Sequence, residues 1–83
     1  SPIKLNYEIA IFPNPSSGEL NVSIPIKHIN GTLTIRNLFG QKIYQSSIFS
    51  TNTQLDLSNY PNGSYFISYT NGSLVQHKRI IKQ

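Results

Sequence analysis

Apolar residues in this chain recur at every second position rather than every third or fourth, and that spacing removes most folds from consideration. Leu20, Val22 and Ile24 alternate with Asn21, Ser23 and Pro25. Leu33 and Ile35 alternate with Thr32, Thr34 and Arg36, and Leu55 and Leu57 flank Asp56. Tyr65, Ile67 and Tyr69 alternate with Phe66, Ser68 and Thr70. Successive side chains of a strand point to opposite faces, so this pattern predicts strands with one buried face. No segment carries a helical stripe, and Gly, Pro, Asn or Ser interrupts the pattern every ~8–12 residues. The expected strands cover about 7–12, 18–24, 31–38, 41–49, 53–57, 64–70 and 73–82. Seven short strands with regular turn signals predict an all-β chain, an immunoglobulin-like β-sandwich of about seven short antiparallel strands.

At 83 residues the chain is one domain at most. A chain of this size buries only ~60–65% of its unfolded surface, which leaves a thin core and no deep cleft between domains. Residues 1–8 read as a linker from a preceding cargo, and 9–83 as the folded domain. The chain starts with Ser-Pro rather than Met, as a piece of something longer would, and lacks the charged-then-apolar start of a signal peptide.

Only 12% of residues are charged, against ~25% in ordinary soluble domains. Ser, Thr, Asn and Gln take their place, which fits an extracellular or cell-surface module better than a cytosolic enzyme. The absence of cysteine excludes a disulfide framework, a thiolate metal site and a cysteine nucleophile. The net charge of +4 comes from basic residues that are scattered except for Lys78, Arg79 and Lys82. Nucleic-acid binding needs clustered cations with stacking aromatics, so no nucleic-acid partner is expected. No apolar run approaches the ~18–20 residues of a membrane span, so no membrane insertion is expected and a monomer is.

The turns follow from backbone chemistry. Asn30-Gly31, Asn62-Gly63 and Asn71-Gly72 accept positive φ at low cost, and Asn71-Gly72 is the expected two-residue hairpin. Leu38-Phe39-Gly40-Gln41 and Tyr60-Pro61-Asn62-Gly63 are further tight turns, the first centred on Gly40. The stretch Ile11-Phe12-Pro13-Asn14-Pro15-Ser16-Ser17-Gly18 is the stiffest. Pro13 and Pro15 fix φ near −65° and remove two backbone donors. They also press Phe12 and Asn14 toward extended backbone. Asn14 can bond the backbone that follows it, and Gly18 eases the exit. The result is a corner between the first two strands, with Phe12 expected to cap the core.

Chemistry is sparse. The acids are Glu8, Glu19 and Asp56. Glu8 and Glu19 flank the proline corner, yet nothing marks a glycosidase pair facing one cleft. His28 and His77 lack ligand spacing, so no metal and no cofactor is expected. Asp56, His77 and a serine would make a triad only on paper, since no nucleophile elbow accompanies them. The four glycosylation-type sequons, at Asn21, Asn30, Asn62 and Asn71, read mainly as turn sequences. Phe39, Tyr44, Phe49, Tyr60 and Phe66 could form a sugar-binding face, but they are expected mostly to fill the thin core or cover turns.

Three ordered motifs and a terminal strand carry a resemblance. Phe12-Pro13-Asn14-Pro15 followed by Ser-Ser-Gly resembles the opening motif of the C-terminal sorting domain, type A, of the type IX secretion system of Bacteroidota. Thr34-Ile35-Arg36-Asn37-Leu38-Phe39-Gly40-Gln41-Lys42-Ile43 is similar to the second motif, and Leu57-Ser58-Asn59-Tyr60-Pro61-Asn62-Gly63-Ser64-Tyr65 to the third. Lys78-Arg79-Ile80-Ile81-Lys82-Gln83 looks like the basic-apolar end of the family. Phe39 departs from it, standing where a small or polar residue is common, and so does the short tip after Tyr69.

The resemblance implies an immunoglobulin-like sandwich that is signal and substrate rather than catalyst. It implies a covalently attached N-terminal cargo, transit through the periplasm, passage through an outer-membrane translocon, and removal by a sortase-like protease with surface attachment or release. Pro13, Asn14, Pro15, Gly18, Gly40, Pro61, Gly63 and Tyr65 are then motif residues. Lys78, Arg79, Ile80, Ile81 and Lys82 are the expected recognition strand. A cleavage site is expected within 1–8 or before residue 1. Two other readings are a sugar-binding sandwich and a passive spacer of a secreted enzyme.

Overall fold

The computed structural model describes residues 9–72 and 74–83. They form seven strands: β1 (Ala10–Phe12), β2 (Glu19–Ser23), β3 (Gly31–Arg36), β4 (Lys42–Ile48), β5 (Asn52–Asp56), β6 (Gly63–Asn71) and β7 (Leu74–Lys82). A three-stranded sheet has the order β1-β2-β5, and a four-stranded sheet the order β4-β3-β6-β7. All pairs of strands are antiparallel. This is the expected small sandwich, with an immunoglobulin-like strand order. The constant-type order places the fourth strand beside the fifth; here β4 lies beside β3.

The alternation read from the sequence is the core. Leu20, Val22, Leu33, Ile35, Leu55, Tyr65, Ile67 and Tyr69 are buried, joined by Ile9, Ile24, Ile48, Leu57 and Ile80. The intervening residues face outward, as a period of two requires. Strand bounds differ from expectation by a residue or two, and β1 is short because Ile9 is buried without joining the strand. Residues 7 and 8 of the expected first strand lie outside the described residues.

Three expectations need correction. Phe12 does not cap the core: it is 49% exposed, and Ile9 and Ile11 pack there instead. The hairpin loop is not Asn71-Gly72, because Asn71 pairs with Leu74 as the last residue of β6. The Asn71 side-chain amide donates instead to the carbonyls of His28 at 2.7 Å and Ile29 at 2.9 Å. At Asn30-Gly31 the positive φ expected of the pair is present, carried by Asn30 at 77°. Gly31 instead opens β3 where a Cβ would collide with the Thr70 carbonyl and the Tyr69 ring. Finally, the aromatics are not mostly internal: Phe39 is 90% and Phe49 72% exposed, and Phe66 is 39% exposed, whereas Tyr44 and Tyr60 do pack on the core. A 3-10 turn over Ile26–His28 follows Pro25. Among the described residues no helix is long and apolar enough to cross a membrane.

Candidate functional site

The chain direction gathers the motifs. Antiparallel pairing puts the ends of β1 and β5 with the start of β2 in one sheet, and the ends of β3 and β7 with the starts of β4 and β6 in the other; the bonds of Ser16 to Ile81 and Gln83 bring these two ends together. The proline corner, the turn after β3, the connection from β5 to β6 and the end of β7 therefore meet there.

The proline corner lies along the outer edge of β7. Both its X-Pro bonds, Phe12-Pro13 and Asn14-Pro15, are cis. The Ser16 amide donates to the Ile81 carbonyl at 2.9 Å, and the Gln83 amide donates to the Ser16 carbonyl at 2.8 Å. A parallel bridge pairs Ser16 with Lys82. The Asn14 side chain accepts from the Ile81 amide at 3.0 Å and donates to the Arg79 carbonyl at 3.2 Å. Pro13 and Pro15 are exposed and offer no amide of their own, so Asn14 and Ser16 carry the contacts. An unpaired sheet edge is a template for further pairing, and the corner covers it from Arg79 to Gln83.

Ser16 was missed by sequence reasoning. It is buried, and its hydroxyl donates to the Glu19 carbonyl at 2.7 Å while accepting from the Gly18 amide at 2.9 Å. Its Oγ-to-Gly18 bond is a two-residue serine turn, a signal the sequence contained. Gly18 has φ of 135°, and a Cβ there would stand 3.0 Å from the Ser58 Cα. Its carbonyl accepts from the Leu57 amide at 2.7 Å. First and third motifs thus touch through a position that tolerates no side chain.

Asn37, also missed, organises the second motif. Its side-chain oxygen accepts from the amides of Phe39 at 2.9 Å and Gln41 at 3.0 Å. Its own amide donates to the Gln41 carbonyl at 2.9 Å. Gly40 takes φ of 82°, as expected of the special residue in this turn. The turn holds Leu38 and Phe39 out, beside a shallow cleft of about 200 Å³ that reaches Tyr60, Pro61 and Tyr65.

The third motif is a tyrosine corner. Tyr65 starts the buried face of β6, and its hydroxyl donates back to the Pro61 carbonyl. Burial, and then the neighbouring Tyr60, push the Tyr65 phenol above its ordinary value, so it stays a donor. Tyr60 donates to the Ile43 carbonyl at 3.2 Å, tying this motif to the second. Gly63 has φ of 145°. Asn62 accepts from the Lys82 ammonium at 2.9 Å.

The terminal strand divides by face. Lys78, Ile80 and Lys82 turn inward, with Ile80 and Lys82 buried; Arg79 is exposed and Ile81 half-buried on the outer side. β7 is an edge strand, as its mixed charges predict.

The groups weighed for catalysis do not assemble. His77 Nδ1 stands 3.0 Å from Ser68 Oγ on the outer face of the four-stranded sheet, and Asp56 lies on the other sheet. Asp56 accepts from the Ser58 amide at 2.9 Å, and its hydrogen bonds to Ser58 hold its carboxyl below the usual value. A general acid needs the opposite shift. Glu19 faces Asp56 across β2 and β5, not the proline corner's other acid, and Glu8 lies outside the described residues. Among the described residues no three His, Asp or Glu side chains stand close enough to hold a metal.

Fold and motif geometry define a small sandwich whose distinctive segments form one joined end. Residues 10–83 match the family described as the secretion system C-terminal sorting domain. The chain belongs to this family, the sorting domains of the type IX secretion system, whose signal directs export to the cell surface or the extracellular space. It is also similar to beta-agarase A of Zobellia galactanivorans, at 31% identity over 58 residues. That stretch is 70% of this chain and 11% of the agarase, so the chain spans only a small part of that relative's length.

Proposed function

We propose that the chain is the C-terminal address of an attached cargo, read at its joined end by an outer-membrane translocon, and that it acts as signal and substrate rather than catalyst. On this reading the cargo crosses the periplasm, and a sortase-like protease then cuts within residues 1–8 or before residue 1, releasing the cargo or attaching it to the surface. Residues 1–8 serve as the linker, and they lie outside the described residues.

We further assign recognition to the last strand, Lys78 to Lys82, with Pro13, Asn14, Pro15, Gly18, Gly40, Pro61, Gly63 and Tyr65 building the end that presents it. The observation that supports this is that the first and third motifs both bond to β7, while the second is tied to the third through Tyr60. The corner occupies the outward backbone groups from Arg79 onward, so a strand added by the machinery would enter along Val75 and His77 and reach the joined end by displacing the corner from Lys78 to Lys82. Outward amides alternate along an edge strand; those of Ile81 and Gln83 point to the corner, so that of His77 points the same way.

His77→Pro removes one outward amide without breaking a backbone bond to β6, losing only the side-chain contact with Ser68 Oγ, and proline is a substitution edge strands accept. A cargo fusion carrying His77→Pro is expected to fold and to stay cell-associated. Normal secretion of a folded His77→Pro fusion would refute pairing at this edge.

A further inference from the structure

Charge in this sandwich is sorted by sheet. The strands of the four-stranded sheet contain Arg36, Lys42, Lys78, Arg79 and Lys82, and no aspartate or glutamate. The described carboxylates, Glu19 and Asp56, face each other on the three-stranded sheet. Lys78 and Lys82 lean to the inner side, which leaves Arg36, Lys42 and Arg79 on the outer one.

Those three are in register. Lys42 stands opposite Arg36, Arg36 opposite Phe66, and Phe66 opposite Arg79. They make one row across all four strands, roughly 15 Å long at the usual strand spacing. The bulge between Ile35 and Arg36 is what brings Lys42 rather than Ile43 opposite Arg36. The next row is Gln45, Thr34, Ser68 and His77, and the one beyond is Ser47, Thr32, Thr70 and Val75. The cations are braced: Lys42 donates to Gln45 at 2.8 Å, and Arg36 to the Gly40 carbonyl at 3.3 Å.

We infer that this outer face binds an acidic polysaccharide, a chain carrying uronate or sulfate groups. Arginine forks match planar or tetrahedral anions with paired hydrogen bonds. Between the two arginines lies a phenyl ring that is 39% exposed, on which the apolar face of a sugar can stack. The adjoining hydroxyl and amide rows supply donors and acceptors for sugar hydroxyls. An acidic peptide would instead seek backbone groups at an edge. A bilayer would need a broad apolar insert, whereas this face carries only Phe66 and Val75 as exposed apolar residues among Thr, Ser and Gln. The inference does not rest on the sorting role, although Thr34, Arg36 and Lys42 belong to the second motif and Arg79 to the terminal strand: it is carried by the row of charges and the phenyl ring between them.

The test is titration of the chain with polygalacturonate at low salt, read by NMR shifts. Saturable binding is expected, with shifts centred on Thr34, Arg36, Phe66, Ser68 and Arg79, weakening as salt rises. Neutral dextran is expected to leave the spectrum unchanged. Arg36→Gln with Arg79→Gln is expected to weaken binding about tenfold or more while the fold persists, since both side chains are exposed. Lys27→Gln, off this face, is expected to leave binding as it is. Phe66→Ser is expected to weaken binding with no change in charge. Absence of saturable binding would overturn the inference. So would poly-glutamate binding as tightly as polygalacturonate, or Lys27→Gln costing as much as the arginine pair.

Discussion

Single polar atoms decide how the end of this sandwich is built. Tyr65 is buried, and its hydroxyl closes the β5–β6 connection on the Pro61 carbonyl. Tyr65→Phe is expected to cost ~1–2 kcal/mol in denaturant unfolding, the worth of one buried hydrogen bond. The folded phenol titrates above its ordinary 10.0. Its contribution is therefore complete below that pH and is lost as pH rises through the raised folded value, because the unfolded chain gives up the proton first. The difference between wild type and Tyr65→Phe should shrink above pH ~10 and not at acid pH. Gly31→Ala is expected to cost ~1–3 kcal/mol by thermal melting, because its methyl group would meet Thr70 and Tyr69. Such positions were half legible. Gly40 and Gly63 announce themselves through turn chemistry, but Gly31 owes its identity to a chain 38 residues away, the Tyr69 hydroxyl its amide reaches. Local pattern carries no trace of that.

At the scale of elements, alternation reported the strands and which face of each is buried. It could not say what lies along an edge. The bonds from Asn14 to β7 join residues 65 and 67 positions apart, so the corner read as a stiff local feature when it is also a lid on the last strand. Asn14→Ala removes both side-chain bonds while leaving the prolines. Faster amide exchange at Ile81 is expected, with β3 and β6 protected as before. Unchanged exchange at Ile81 would show that the backbone of Ser16 suffices. The aromatic expectation failed for a related reason. Alternation assigns Phe66 to the outer face correctly, but Phe12, Phe39 and Phe49 sit at a strand end and in turns, where a period of two gives no direction.

For the whole molecule, stability and function are coupled by size. With so thin a core, Ile67→Ala, at a fully buried centre of β6, is expected to cost ~2–5 kcal/mol. That is a large share of what a domain of this length holds, so the variant should be largely unfolded and unfit as a secretion control. The central claim is that the folded chain suffices as an export address. It is tested most directly by placing residues 1–83 behind a signal-peptide-bearing fluorescent reporter. The fusion is then compared in a Bacteroidota strain with an intact type IX system and in its translocon-deficient derivative. The account predicts reporter at the cell surface or in the medium of the first strain and in the periplasm of the second. Equal distribution in the two strains would contradict it.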